Sequence, residues 1–183
     1  MLEGDGLVEI IATVVGAVAL VVFAKRQLAL GKENHALMDL RPFRVRNYTI
    51  AVVIMLVSFG LMLGSVTVLP IYLQTSLGVS ALVTGLVVMP GGLLQGLVSP
   101  FVGRIYDSHG PRPLMIPGAI LLVLGLGAMA TLGEGSPVWL VVVMHVTFAV
   151  GIGLMMTPLM TTALSSLPNE LYSHGSAIMN TLQ

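Results

Sequence analysis

The stretch GRIYDSHGPRP, at residues 103–113, separates two long apolar segments of the chain. It holds Arg104, Asp107 and Arg112, although only 9% of all residues in the chain are charged. It also contains glycine and proline, which are typical of a tight turn that ends one helix and begins the next. The stretch therefore predicts a charged turn between two helices whose remaining surface is apolar.

The composition of the chain predicts a membrane protein. Its 183 residues are 56% hydrophobic, and their mean hydropathy is +0.98. A soluble domain carries about 25% charged residues, whereas eight basic and eight acidic side chains are too few to cover a water-exposed surface of this size. The formal net charge is zero, which excludes a global basic field of the kind that attracts nucleic acid.

Apolar runs of membrane-spanning length predict an all-α fold, a polytopic transmembrane helix bundle. The runs do not alternate apolar and polar residues, which argues against the strands of a transmembrane barrel. The last apolar segment begins near Gly175 and is too short to cross a bilayer. We therefore expect the chain to be an interior piece of a longer membrane protein, because a lone half-span leaves backbone groups unsatisfied in lipid. The predicted spans are residues 7–24, 48–73, 81–103, 114–132 and 138–166, with a partial span at 175–183.

The basic residues predict the orientation of these spans. Connections that are separated by two spans lie on the same side of the membrane, and all lysines and arginines fall in two such connections. The positive-inside rule makes that side the cytoplasmic face of a cell membrane. The linker at 25–47 could lie in the membrane plane with its arginines near lipid phosphates, or it could be a solvated connection. The basic residues are Lys25, Arg26, Lys32, Arg41, Arg44 and Arg46 in the linker, and Arg104 and Arg112 in the turn.

Residues within the turn have predicted structural roles. Gly103 and Gly110 allow close approach and positive φ, and the proline before the fourth span suits the first turn of a helix. Asp107 is placed to cap that helix or to pair with Arg104 or Arg112. Such a pair would break if one of the partners moved.

The spacing of charged residues and glycines in this turn resembles the cytoplasmic loop motif of the major facilitator superfamily. The residues that carry the resemblance are Gly103, Asp107, Gly110 and Arg112. Ser108 and Pro111 depart from the motif, since a basic residue is commoner at both positions. The resemblance implies that the turn acts as a latch, whose contacts between aspartate and arginine form in one state and break in another.

The segments on either side of the motif are similar to the carboxy-terminal half of the fourteen-span drug:proton antiporters, the multidrug-resistance permease branch of this superfamily. They are SALVTGLVVMPGGLLQGLVSPFVGRIYDSHGPRPLMIPG at 80–118 and LMMTPLMTTALSSLPNELYSHGSAIMNTLQ at 154–183. The resemblance implies alternating access, in which inward proton movement drives a small apolar or cationic compound out of the cell. It also implies three kinds of partner: the lipid bilayer, the transported proton and compound, and the missing amino-terminal half, in which the membrane-embedded acid of this family lies.

Three polar residues in the predicted spans are candidates for lining a transport cavity. His145 could serve a proton relay or contact a substrate, or it could bond the backbone of a neighbouring helix. Gln95 could contact a substrate or hydrogen-bond another helix, and Asn180 presents the same alternatives.

Sequence motifs of enzymes are missing from the chain. It contains no H-E-x-x-H, G-x-S-x-G or Walker loop, and its four histidines are scattered without a cysteine to complete a metal site. We therefore expect no catalytic residue, metal or cofactor, and the resemblance to the major facilitator superfamily implies a transporter. The alternatives are a membrane-embedded enzyme and a non-transporting assembly protein, because polytopic topology alone is compatible with both.

Overall fold

The computed structural model describes residues 2–30 and 39–183, and all regular structure in these residues is helical. The predicted all-α fold is therefore confirmed. A short 3-10 helix, Arg41–Arg44, precedes the second α-helix. The α-helices are α1 (Leu2–Leu30), α2 (Arg46–Thr75), α3 (Ala81–His109), α4 (Arg112–Met129), α5 (Val138–Ser165) and α6 (Asn169–Leu182).

In the part of the chain that the structure describes, α2, α3, α4 and α5 are long and apolar enough to cross a membrane. In α1, the apolar stretch that the structure describes is shorter and covers Ile10–Ala19. The first span at 7–24 therefore stays a prediction. Residues 31–38 of the predicted linker lie outside the described residues.

Two helices extend beyond the predicted spans at their polar ends. Helix α3 continues past residue 103 to His109, and α6 begins at Asn169 rather than near Gly175. The apolar runs estimate only the part of a helix that lies in hydrocarbon, whereas backbone hydrogen bonds continue until a residue breaks them. Hydropathy therefore places these helix ends too close to the membrane centre.

Helix α5 lies at the centre of the bundle and packs against α2, α3 and α4. Its side chains Phe148, Ile152 and Leu159 are buried in the main apolar core. Residues from α2, α4 and α6 complete this core, among them Met55, Leu122 and Met179. The position of α5 therefore determines how the other three membrane-length helices are arranged.

Glycines bring α4 and α5 into close contact. A Cβ atom at Gly125 of α4 would lie 2.5 Å from the backbone nitrogen of Phe148. A Cβ atom at Gly151 of α5 would likewise lie 2.5 Å from the backbone nitrogen of Leu122. Small residues at such contacts let helix backbones approach closely, which is a principal source of helix association in membranes. At these two points the helices are too close for any side chain larger than hydrogen.

The turn between α3 and α4 is shorter than the sequence predicts. Helix α3 ends at His109 and is followed by Gly110, whose φ of 76° lies in the left-handed region. The N–H group of Gly110 donates to the carbonyl oxygen of Tyr106 at 2.8 Å. Gly103 lies inside α3, and a Cβ there would meet no atom within 4 Å, so the close approach predicted for Gly103 is wrong. A single glycine weakens a helix without ending it, whereas Gly110 is followed by Pro111.

We expect the substitution Gly125→Ala to destabilise the bundle by about 1–3 kcal/mol, because its methyl group would overlap backbone atoms that cannot rotate away. The matched control is Gly127→Ala in the same helix, where a Cβ meets nothing within 4 Å. Thermal unfolding in detergent micelles measures both variants. Equal midpoints for Gly125→Ala and Gly127→Ala would contradict the close packing of α4 on α5.

We also expect Gly110→Ala to destabilise the chain by about 1–3 kcal/mol, because its backbone conformation is one that only glycine adopts without strain. Gly103→Ala should be neutral or stabilising, since alanine favours a helix interior over glycine by about 0.5–1 kcal/mol. Chemical unfolding in micelles compares the two variants. A larger loss for Gly103→Ala than for Gly110→Ala would show that the turn begins earlier than the structure has it.

Candidate functional site

The charged residues of the turn are exposed and unpaired with one another in this structure. Asp107 lies in the last turn of α3, and within the described residues it forms no ion pair with Arg104 or Arg112. Helix α4 has Pro111 at its N-cap position without a side-chain cap. The predicted cap and the predicted ion pair are therefore absent from this conformation. The reason is that α3 stays helical through Asp107, which keeps that residue out of the turn itself.

Other polar groups near the turn do form contacts. The hydroxyl group of Ser108 donates to the carbonyl oxygen of Arg104 at 2.9 Å and lies 2.7 Å from Nδ1 of His109. The hydroxyl groups of Tyr106 and Thr162 are 3.4 Å apart and connect the end of α3 to the end of α5. Sequence reasoning missed this connection, because no local pattern relates the two residues.

His145 is buried at the interface of α3 and α5, with 6% of its surface exposed. Its ring covers Gly91, where a Cβ atom would lie 2.7 Å from the ring carbon Cδ2 and 2.8 Å from Nε2. Nδ1 of the ring has no hydrogen-bond partner in the described residues. This geometry packs the ring against a glycine of the neighbouring helix α3. It gives His145 a packing role against Gly91 in this conformation.

The other two cavity candidates lie in different surroundings. Gln95 of α3 is partly buried, and a Cβ atom at Gly153 of α5 would lie 3.2 Å from its Cγ atom. Gln95 therefore shares the interface of α3 and α5 with His145. Asn180 lies on α6 and is exposed. The structure thus brings two of the three candidates to one helix interface and leaves the third on another helix.

An apolar groove runs between α2 and α4. At one end it holds a cavity of about 410 Å³, whose lining includes Leu61, Ser65, Tyr72 and Met129. The buried hydroxyl group of Ser65 has no hydrogen-bond partner, while that of Tyr72 donates to the carbonyl oxygen of Gly133 at 2.7 Å. The groove can hold an apolar group, and it contains none of the three cavity candidates.

The described residues include no cluster of histidine, aspartate and glutamate side chains that could hold a metal ion.

Comparison with known proteins gives a family. The sequence matches the Major Facilitator Superfamily over residues 6–183. It is 41% identical to the lincomycin resistance protein LmrB of Listeria innocua over 174 residues, which are 95% of this chain and 36% of that protein. The LmrB protein of Bacillus subtilis is 37% identical over 174 residues, again 95% of this chain and 36% of the relative. The multidrug resistance protein Stp of Mycobacterium tuberculosis is 30% identical over 149 residues, which are 81% of this chain and 28% of that protein.

No solved structure matches the chain. The chain spans 36% of the length of the LmrB relatives, so it corresponds to about a third of such a protein. The family match covers nearly all of the sequence and agrees with a bundle of membrane-length helices. The chain belongs to the Major Facilitator Superfamily.

Proposed function

We propose that this chain is part of a transporter that exports small apolar or cationic compounds, including drugs, across the cell membrane. The observation that carries the proposal is the similarity to a lincomycin resistance protein along 95% of the chain. The family and the names of these relatives favour transport over the enzyme alternative. In the proposed mechanism, the helices described here form a body that rocks against the remaining part of the transporter around a central path.

Contacts at one end of the bundle support a cytoplasmic position for both basic clusters. The hydroxyl group of Tyr48, in the first turn of α2, donates to the carbonyl oxygen of Gly175 in α6 at 2.8 Å. The contact of Tyr106 with Thr162 joins the end of α3 to the end of α5, and α5 leads directly into α6. The arginines before α2 and those around the turn after α3 therefore lie at the same end of the bundle, as the positive-inside rule requires.

We further propose that inward proton movement drives export and that the proton-binding carboxylate lies outside this chain. Between residues 46 and 165, which cover α2 to α5, the acidic residues are Asp107 and Glu134. Asp107 lies in the last turn of α3, and Glu134 lies in the connection between α4 and α5. Neither is near the middle of a membrane-length helix, where a coupling carboxylate is usually found.

The turn at 103–113 is proposed to act as a latch between states. Asp107 is exposed and unpaired with Arg104 and Arg112 in this structure, and we assign this conformation to the released state of the proposed latch. In the engaged state, the carboxylate of Asp107 would accept hydrogen bonds from an arginine guanidinium, a charge-assisted contact that is stronger than a neutral one. A change in the relative positions of the helices would make or break this contact.

A chimeric transporter tests the proposed function. We expect a Listeria innocua LmrB protein that carries this chain in place of its own aligned segment to raise the inhibitory lincomycin concentration of a susceptible host at least about fourfold, because the segment supplies part of the transport path. The measurement is growth inhibition across a lincomycin series, with membrane amounts compared by immunoblotting.

The control is the same relative with the aligned segment deleted, which should give no resistance. A chimera that reaches the membrane in normal amounts but gives no resistance would contradict the proposal. Resistance that persists after a protonophore collapses the proton gradient would contradict proton coupling alone.

In the working chimera, we expect Asp107→Asn to lower drug efflux about threefold or more, because the neutral amide cannot form the charged contact of the engaged latch. Membrane insertion should not change, since Asp107 is exposed. Efflux of a fluorescent drug from loaded cells measures the effect. Glu134→Gln is the matched control, because it removes the same charge from an exposed connection at the other end of α4. Equal efflux in both variants would remove the latch proposal.

A further inference from the structure

The segment that leads into α2 is bound to the beginning of α6 by side chains that the proposed transport function does not use. The backbone N–H group of Asp39 donates to Nδ1 of His174 at 3.3 Å. Tyr48 donates from its hydroxyl group to the carbonyl oxygen of the next residue, Gly175, at 2.8 Å. Two adjacent residues of α6 therefore each accept a hydrogen bond from the same region of the chain. We call Asp39, Tyr48, His174 and Gly175 the α6 clamp.

The buried carboxylate of Asp39 is held by hydrogen bonds to both of its oxygens. Only 3% of its surface is exposed. One carboxylate oxygen accepts the backbone N–H of Arg41 at 2.8 Å, and the other accepts Nε of the same residue. A buried carboxylate is costly without such partners. These contacts fix the orientation of the Asp39 backbone, whose N–H then points at His174.

The ionised form of Asp39 is favoured despite its burial. Burial acts to raise the pKa of this carboxyl group, but the hydrogen bonds from the backbone N–H and guanidinium of Arg41 and the charge of Arg41 outweigh it, so the pKa is lowered. The carboxyl group of Asp39 is therefore ionised at neutral pH and keeps its contact with Arg41 there, so the segment keeps its shape.

The second half of the clamp is closely packed. Tyr48 is fully buried, and its ring meets that of Phe43 edge-on with a centroid distance of 5.7 Å. A Cβ atom at Gly175 would lie 3.2 Å from Cε2 of Tyr48 and would overlap Leu167. Only glycine at position 175 lets the α6 backbone come close enough for the hydroxyl group of Tyr48 to reach its carbonyl oxygen.

We propose that the α6 clamp makes the entry segment of α2 and the first turns of α6 move as one body, with His174 as a positioning residue that accepts the Asp39 N–H. A displacement of the linker before Asp39 would then displace the beginning of α6. This proposal concerns the chain itself and holds whether or not the proposed export is found. It is tested without a transport measurement, so that its failure and that of the proposed function are distinguishable.

Hydrogen exchange in the full chain, reconstituted in lipid nanodiscs, measures whether the clamp is closed. We expect His174→Leu to accelerate exchange of the backbone amides in 39–45 about fivefold, as the loss of one hydrogen bond implies. His174→Asn should exchange like the unaltered chain, because its side-chain oxygen accepts a hydrogen bond at nearly the position of Nδ1. The amide of Gly110, which bonds within α3, is the internal reference for an intact fold.

Tyr48→Phe tests whether the two halves act together. The phenylalanine ring keeps the contact with Phe43 and loses only the hydroxyl group that bonds Gly175. We expect it to accelerate exchange in 39–45 about two- to threefold, although Tyr48 bonds no amide of that segment. Unchanged exchange in His174→Leu, or equal exchange in His174→Leu and His174→Asn, would overturn the proposal. If exchange of the Gly110 amide is also faster in His174→Leu, that variant no longer reports on the clamp alone. In that case, unchanged exchange of the amides in 39–45 in Tyr48→Phe overturns the proposal.

Discussion

Close approach of the α4 and α5 backbones is the constraint on which the rest of the bundle depends. In hydrocarbon each helix satisfies its own hydrogen bonds, and apolar side chains gain little by leaving lipid, so helices associate where small residues let their backbones meet. Gly125 and Gly151 supply such positions on the two facing helices. Because α4 occupies one side of α5, its other sides are left for α3 and α2. Gly91 against His145 provides a similar close contact on the side of α3.

Three side-chain hydrogen bonds between elements distant in sequence lie at one end of the described bundle, and that of Tyr72 with Gly133 lies at the other end. The three are those of Asp39 with His174, of Tyr48 with Gly175 and of Tyr106 with Thr162. A charged or unpaired polar group is costly in the middle of a bilayer, whereas near the surface it can exchange protein partners for water. The middle of the bundle is therefore fixed by packing, and the polar end is the part where contacts can form and break at small cost.

The long helices could be predicted from the sequence because hydropathy is a local property of an apolar run. The end of α3 could not be predicted in this way, because Gly103 and Gly110 are the same residue type and only the proline after Gly110 distinguishes them. A contact of His145 with a neighbouring helix was one of the alternatives that the sequence allowed. That its neighbour is Gly91 could not be predicted, because this depends on how two helices pack. The contact of Asp39 with His174 joins residues 135 positions apart, and neither residue belongs to a local pattern that indicates the other.

The scarcity of charge in the long helices limits what this chain can contribute to an exporter. Asp107, in the last turn of α3, is the only acidic residue in α2 to α5. If inward proton movement drives the proposed export, the carboxylate that binds protons within the membrane therefore lies outside α2 to α5. If proton binding occurs elsewhere in the proposed transporter, it affects this bundle by displacing helices. Polar contacts are the ones that respond to a change of charge. The exposed turn after α3 and the α6 clamp are polar groups at the same end of the bundle, whereas the glycine contacts keep α4 and α5 together.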